Sequence, residues 1–157
     1  MPSYLVTGGS GQLGQCFHAV AKESPAINLF FTSRNEVDIT RSETLANFYS
    51  KNPFDGIINC AAYINVDQAE KEEESAFKIN TEGLQNLIDF AEEKKLSIIH
   101  FSTDYVFDGN SSEPYPEEAA TNPIGIYGNS KLKGEVRLSK SSCKNVTIRI
   151  SWLFSPF

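Results

Sequence analysis

The chain has 157 residues, 40% apolar and 22% charged, with a formal net charge of −6 and three cysteines. This is enough for one domain with a full core, and an acidic balance with no dense basic run argues against nucleic acid or an anionic membrane as the main partner. No apolar run reaches the roughly 18 residues of a membrane span, no basic-then-apolar leader opens the chain, and Cys16, Cys60 and Cys143 stand far apart without a C-x-x-C, as reduced thiols of a cytoplasmic protein do.

"SYLVT" is a short buried strand. From Gln12 to about Lys22 the apolar residues Leu13, Phe17, Val20 and Ala21 recur at helical spacing, and Pro25 punctuates. "INLFFT" reads as a second strand, and "SETLANFYSK" as a helix capped by Ser42. "DGIIN" is a third strand. A long helical pattern runs from about Glu72 to Glu93, followed by a fourth strand, "LSIIHFS". A polar stretch from Asp104 to Pro123 leads to a helix from about Gly125 to Ser139 and a fifth strand, "NVTIRIS". Strand and helix alternate throughout, and the strands are short and mostly continuous in apolar character, as expected when both faces are covered. The expectation is an α/β fold with a doubly wound parallel sheet of at least five strands, its ligand beyond the carboxyl ends of the strands.

The first strand runs into Thr7-Gly8-Gly9-Ser10-Gly11-Gln12-Leu13-Gly14, a T-G-x-x-G-x-x-G loop that opens the first helix. Gly8 permits a tight turn, Gly11 clears space for a phosphate at the backbone, and Gly14 lets helix and sheet approach. A helix N-terminus there offers free N–H groups to a pyrophosphate. After the second strand, where an acid often holds the ribose 2′-hydroxyl, the chain carries Thr32-Ser33-Arg34. Arg34 suits a 2′-phosphate and therefore NADPH, although an ordinary surface arginine is also consistent, so NADH stays open. Asp38 reads either as an adenine contact with Ile39 or as a turn residue. Cys60, Ala61 and Ala62 are small enough for close cofactor approach or for tight packing, with Cys60 an apolar filler.

Tyr127 and Lys131 stand four apart at the start of the last helix and share one face. An ammonium beside a phenol favours the phenolate and lowers the tyrosine pKa toward a range useful for acid catalysis. Only one of the six tyrosines has a lysine four residues on; that spacing is weak by itself, so its placement after the fourth strand carries the reading. Thr103 ends that strand and can hydrogen-bond a substrate oxygen. Asn80 is a further candidate, as an Asn within a helix. The acidic run Glu70–Glu74 reads as dipole stabilisation of a helix start, with no metal site implied, and His18 and His100 are isolated, His100 as a structural residue.

Together "NCAAYINVDQAE", "FSTDYVFDG", "PIGIYGNSKLKGE" and "RISWLF" resemble the dTDP-4-dehydrorhamnose reductase family of the extended short-chain dehydrogenase/reductases, in order and over essentially the whole chain. The resemblance implies a Rossmann-like fold and NAD(P)H-dependent reduction of dTDP-4-dehydro-β-L-rhamnose to dTDP-β-L-rhamnose. It implies Thr103, Tyr127 and Lys131 as catalytic set, with Tyr127 and Lys131 also meeting the cofactor, and an Asn near Asn80 that helps hold a water and the lysine. Thr103, Asp104 and Trp152 meet the nucleotide sugar. Gly11, Gln12 and Leu13 meet the pyrophosphate, Asp38 and Ile39 the adenine, and Ala61, Ala62, Tyr63 and Ile64 line the cofactor further along. Family members continue for roughly another 120 residues that form most of the sugar site. Residues 1–157 are thus expected to be the cofactor domain, binding NADPH yet turning over poorly or not at all. A non-catalytic NADP-binding regulatory subunit of the type that joins methionine adenosyltransferase, or a nucleotide-sugar epimerase, are the alternative readings; a homodimer is left open.

Overall fold

The computed structural model describes residues 1–157. Five strands, β1 (Ser3–Thr7), β2 (Asn28–Phe31), β3 (Gly56–Asn59), β4 (Ser97–Thr103) and β5 (Asn145–Ile150), form one sheet in the order β2-β1-β3-β4-β5. Every pairing is parallel. Each crossover therefore carries helix: α1 (Gln12–Ala21), α2 (Ser42–Lys51), α3 (Val66–Ala69), α4 (Glu73–Phe77), α5 (Leu84–Lys94) and α6 (Ile126–Ser139). This is a doubly wound, Rossmann-like sheet whose order reverses beside β1, so the crevice there is the natural ligand site. No helix is long and apolar enough to cross a membrane.

The core explains why these segments settle as they do. Leu5, Ile57 and Ile98 lie on neighbouring strands and are 1% exposed or less, against Leu45 of α2, Leu84, Leu87 and Ile88 of α5, and Leu138 of α6. The parallel register also aligns Thr7 with Asn59 and Asn59 with His100. Three polar side chains thus meet under the carboxyl edge. Thr7 Oγ1 donates to Asn59 Oδ1 (2.7 Å), and Asn59 Nδ2 faces His100 Nδ1 (3.1 Å). Burial, then the nearby Lys131 charge, holds the His100 pKa well below its ordinary value, so the ring is neutral and structural.

Three local expectations differ. Ser42 is not a cap: Arg41 holds that position, and Thr44 Oγ1 binds the Arg41 and Asp38 carbonyls instead. The long helical stretch is interrupted by a π-helical turn, Lys78–Gly83. A side chain on Gly83 would come within 2.8 Å of Ile39, while the widened turn buries Asn80 and Thr81 against α6. The acidic run does not act as one unit. Only Glu73 and Glu74 occupy the first turn of α4, Glu72 accepts from Tyr63 and Gln68, and Glu70 reaches across to α6. No group of three or more His, Cys, Asp or Glu is placed to hold a metal.

Candidate active site

A cleft of about 720 Å³ opens at the carboxyl edge, running from the glycine loop past the ends of β3 and β4 to the start of α6. At its head Gly8 has φ +64°, and a Cβ there would stand 2.8 Å from the Ala61 backbone nitrogen. Only glycine takes that conformation and that approach without strain. The Gly11 N–H closes the turn on the Gly8 carbonyl (2.9 Å), and Gly11 caps α1 without a side chain. The first N–H groups of α1, at Gln12 and Leu13, have no intrahelical acceptor and stand at the cleft. Gly14 lies outside the lining. A Cβ there would sit 2.5 Å from Gly9 Cα, so Gly14 seats the helix on the loop rather than contacting a ligand.

Farther along, Arg34 and Asp38 both line the cleft and pair with each other (Nε to Oδ2, 3.2 Å). Burial works against the Asp38 charge, but hydrogen bonds from Thr40 and then Arg34 outweigh it and hold the carboxyl below its usual range. The Ile39 side chain is in the core, and Asn86 fixes its carbonyl (2.8 Å), so only its backbone faces outward chemistry. Ala61, Ala62 and Ile64 line the cleft; Tyr63 does not. Its hydroxyl donates to Glu72 and its peptide groups are clamped by Asn80, Oδ1 accepting from Tyr63 N (2.9 Å) and Nδ2 donating to Tyr63 O (3.1 Å). The same Nδ2 donates to Ser130 Oγ (3.0 Å). Asn80 therefore binds the segment after β3 to α6 and has no bond to Lys131. Cys60 is pushed up to about 12 by burial, an inert thiol.

The reactive end is built by β4 and α6. Thr103 closes β4, its Oγ1 accepting from Tyr105 N and donating to Asp104 Oδ1 (both 3.2 Å), while Ser151 Oγ donates to Asp104 Oδ2 (2.6 Å). Trp152 sits at the rim with φ +51° and 88% of its surface exposed. Tyr127 stacks edge-on against Tyr105, ring centres 5.7 Å apart. Lys131 is buried and donates to the Phe101 carbonyl (2.6 Å). That bond uses one of three ammonium protons, and the other two find no protein acceptor at the cleft wall.

Lys131 does not depress the Tyr127 pKa. Burial raises the phenol above its ordinary value, the Thr103 hydroxyl pulls it down by less, and Asp104 and Tyr105 push it up again. The lysine is anchored on the strand carbonyl, and burial lowers its own pKa to about 8. Tyr127 is accordingly a neutral phenol at pH 7, the form that can give a proton. Between about 8 and the ordinary 10.5 the unfolded chain binds more protons at Lys131 than the folded one, so stability must rise with pH through that window. Relative to Lys131→Met, the wild type is expected to gain roughly 3 kcal/mol across it. Urea unfolding of both proteins at several pH values measures this, and parallel curves would refute it.

Sequence reasoning passed over Ser102, Phe101 and Ile150, which also line the cleft. Ser102 is a small polar residue at a strand end, which is the signal that could have marked it. The glycine cradle, the open α1 amides and the spare donors of Lys131 form a continuous wall that fits a dinucleotide.

Residues 3–156 match the model of the RmlD substrate binding domain family. This chain belongs to that family. A dTDP-4-dehydrorhamnose reductase of Aggregatibacter actinomycetemcomitans is 37% identical over 157 residues, all of this chain and 53% of the relative. A dTDP-4-keto-6-deoxy-D-glucose reductase of Streptomyces niveus is 34% identical over 154 residues, 96% of this chain and 51% of the relative. Among solved structures, dTDP-4-dehydrorhamnose reductase of Bacillus anthracis in complex with NADP superposes with a TM-score of 0.93 at 33% identity, covering 100% of this chain and 56% of that one. The chain thus spans about half the length of the curated relatives it matches.

Proposed function

We propose that this chain is the cofactor-binding and proton-donating part of an NADPH-dependent reductase of a dTDP-4-keto-6-deoxy sugar, with dTDP-4-dehydro-β-L-rhamnose as substrate. One observation carries the reading. A neutral, half-buried Tyr127 and a buried Lys131 with spare donors open from one helix into the same cleft that begins at the glycine cradle. A bound nicotinamide nucleotide supplies the hydride. The α1 amides at Gln12 and Leu13 would hold its pyrophosphate, Arg34 a 2′-phosphate, Asp38 and the Ile39 backbone the adenine, and Lys131 the nicotinamide ribose. Tyr127 gives its proton to the oxygen of the sugar carbonyl, which Thr103 orients. Asp104 and Trp152 face the sugar nucleotide, and the rest of its site comes from a part such as the relatives carry outside the matched length. Cys16, Cys60 and Cys143 are all free, which supports a reducing, cytoplasmic setting.

Calorimetric titration of the chain tests the cofactor half. NADPH is expected to bind more tightly than NADH, and Arg34→Asp to reverse that order, since it replaces the cation facing the 2′-phosphate with a carboxylate. Absence of binding by either nucleotide to folded protein would overturn the proposal. An unchanged preference in Arg34→Asp would remove Arg34 from the phosphate site.

A further inference from the structure

We propose that Glu70 is a positioning residue for Tyr127, supplying from a distant segment the N-cap that α6 lacks. The inference rests on the reading of Tyr127 as proton donor. The cap position of α6 is Gly125, which has no side chain to offer. The orphan N–H of Ile126 instead donates to Glu70 Oε1 at 2.8 Å, across 56 residues of sequence. A Cβ on Gly125 would stand 3.0 Å from that same oxygen, so a side chain there would press on the carboxylate that makes the cap. Glycine at this place and glutamate across the gap are two halves of one arrangement. The negative charge also lies at the positive end of the helix.

Glu70 is held firmly enough to serve. It follows α3, whose own cap is made by Asn65 Oδ1 accepting from Gln68 N (3.1 Å). Ala69 beside it is fully buried. The segment leading in is clamped at Tyr63 by Asn80. The stretch that lines the cleft through Ile64 and Val66 is therefore tied to α6 at two points, Asn80 to Ser130 and Glu70 to Ile126.

Tyr127 is the second residue of α6 and lies in the turn that Glu70 holds. Lys131 is one turn deeper and is anchored separately on the Phe101 carbonyl. Loss of the Glu70 contact should loosen the tyrosine and leave the lysine in place.

The test uses this chain with 15N labelling and 13Cζ-labelled tyrosine. In Glu70→Ala, amide exchange at Ile126 and Tyr127 should quicken roughly tenfold, the size of a lost helix cap, while amides of α5 stay unchanged. The Tyr127 ring should titrate at lower pH than in the wild type, because a looser ring loses the burial that disfavours its phenolate. The other groups around the ring (Asp104, Tyr105 and Lys131) are unaltered by the substitution. Glu70→Gln keeps an acceptor oxygen and should restore both readouts. Unchanged exchange in Glu70→Ala would overturn the proposal. So would faster exchange with an unmoved Tyr127 titration, which would make the contact a stabilising cap only. These readouts need neither cofactor nor substrate, so failure of the NADPH titration would overturn the proposed function, while the exchange and titration results would still report whether Glu70 holds the Tyr127 turn.

Discussion

Tyr127→Phe is expected to lower the rate of carbonyl reduction by about 10²–10⁴, the usual worth of a positioned general acid, while NADPH affinity stays essentially unchanged. The substitution removes one hydroxyl and keeps the ring that packs edge-on against Tyr105, so the fold and the cleft should survive. The phenol is raised above its ordinary pKa by burial. It is therefore protonated throughout neutral pH, and the rate should fall only as pH rises through that raised value. The check is steady-state reduction of the proposed substrate, dTDP-4-dehydro-β-L-rhamnose, with kcat and KM separated. A drop confined to kcat fits a proton delivered in the transition state. Near-normal turnover in Tyr127→Phe would remove the residue from the chemistry and favour a non-catalytic NADP-binding role.

Much of the architecture was legible because it rests on repeating patterns. Continuous apolar strands and amphipathic helices announce a parallel sheet, and β1 through β5 fall where the apolar runs lie. The glycine loop was legible for a related reason: a positive φ at Gly8 and a close approach to Ala61 leave few alternatives to glycine. What escaped depends on contacts between segments remote in sequence. Asn80 looked like a misplaced helical polar residue, yet its amide is satisfied by Tyr63 and Ser130, 17 and 50 positions away. Ser42 had the chemistry of a cap, but the helix begins one residue earlier than that role requires, with Ser42 already inside the first turn and Arg41 at the cap position. The expected lowering of the Tyr127 pKa by Lys131 did not appear because spacing on a helix fixes a shared face and says nothing about burial, which raises the phenol, or about where the ammonium is anchored, here the Phe101 carbonyl.

Gly128 shows the same limit and yields the second large effect. In sequence it is a glycine in the first turn of an ordinary helical pattern, a place where alanine would improve helix propensity by about 1 kcal/mol. In the fold, a Cβ at Gly128 would overlap the Tyr105 carbonyl oxygen and stand 3.1 Å from Pro123. That carbonyl cannot swing aside easily. It belongs to the single 3-10 turn Asp104–Val106, held at one end by Tyr105 N donating to Thr103 Oγ1 and at the other by Phe107 N donating to the Asp104 carbonyl. The cheaper response is for α6 to back away from the end of β4. Overpacking of this kind costs typically 1–3 kcal/mol and outweighs the propensity gain, so Gly128→Ala should melt several degrees lower. The displacement also carries Tyr127 away from Thr103, and misplacement of a reacting group by about 1 Å can cost on the order of 10²-fold in rate. The glycine cradle lies in the loop between β1 and α1, away from α6, and should still hold NADPH. Thermal unfolding, nucleotide titration and turnover of Gly128→Ala separate these effects. Wild-type stability together with wild-type rate would mean that the turn yields to the methyl group, and that this contact does not set the position of Tyr127.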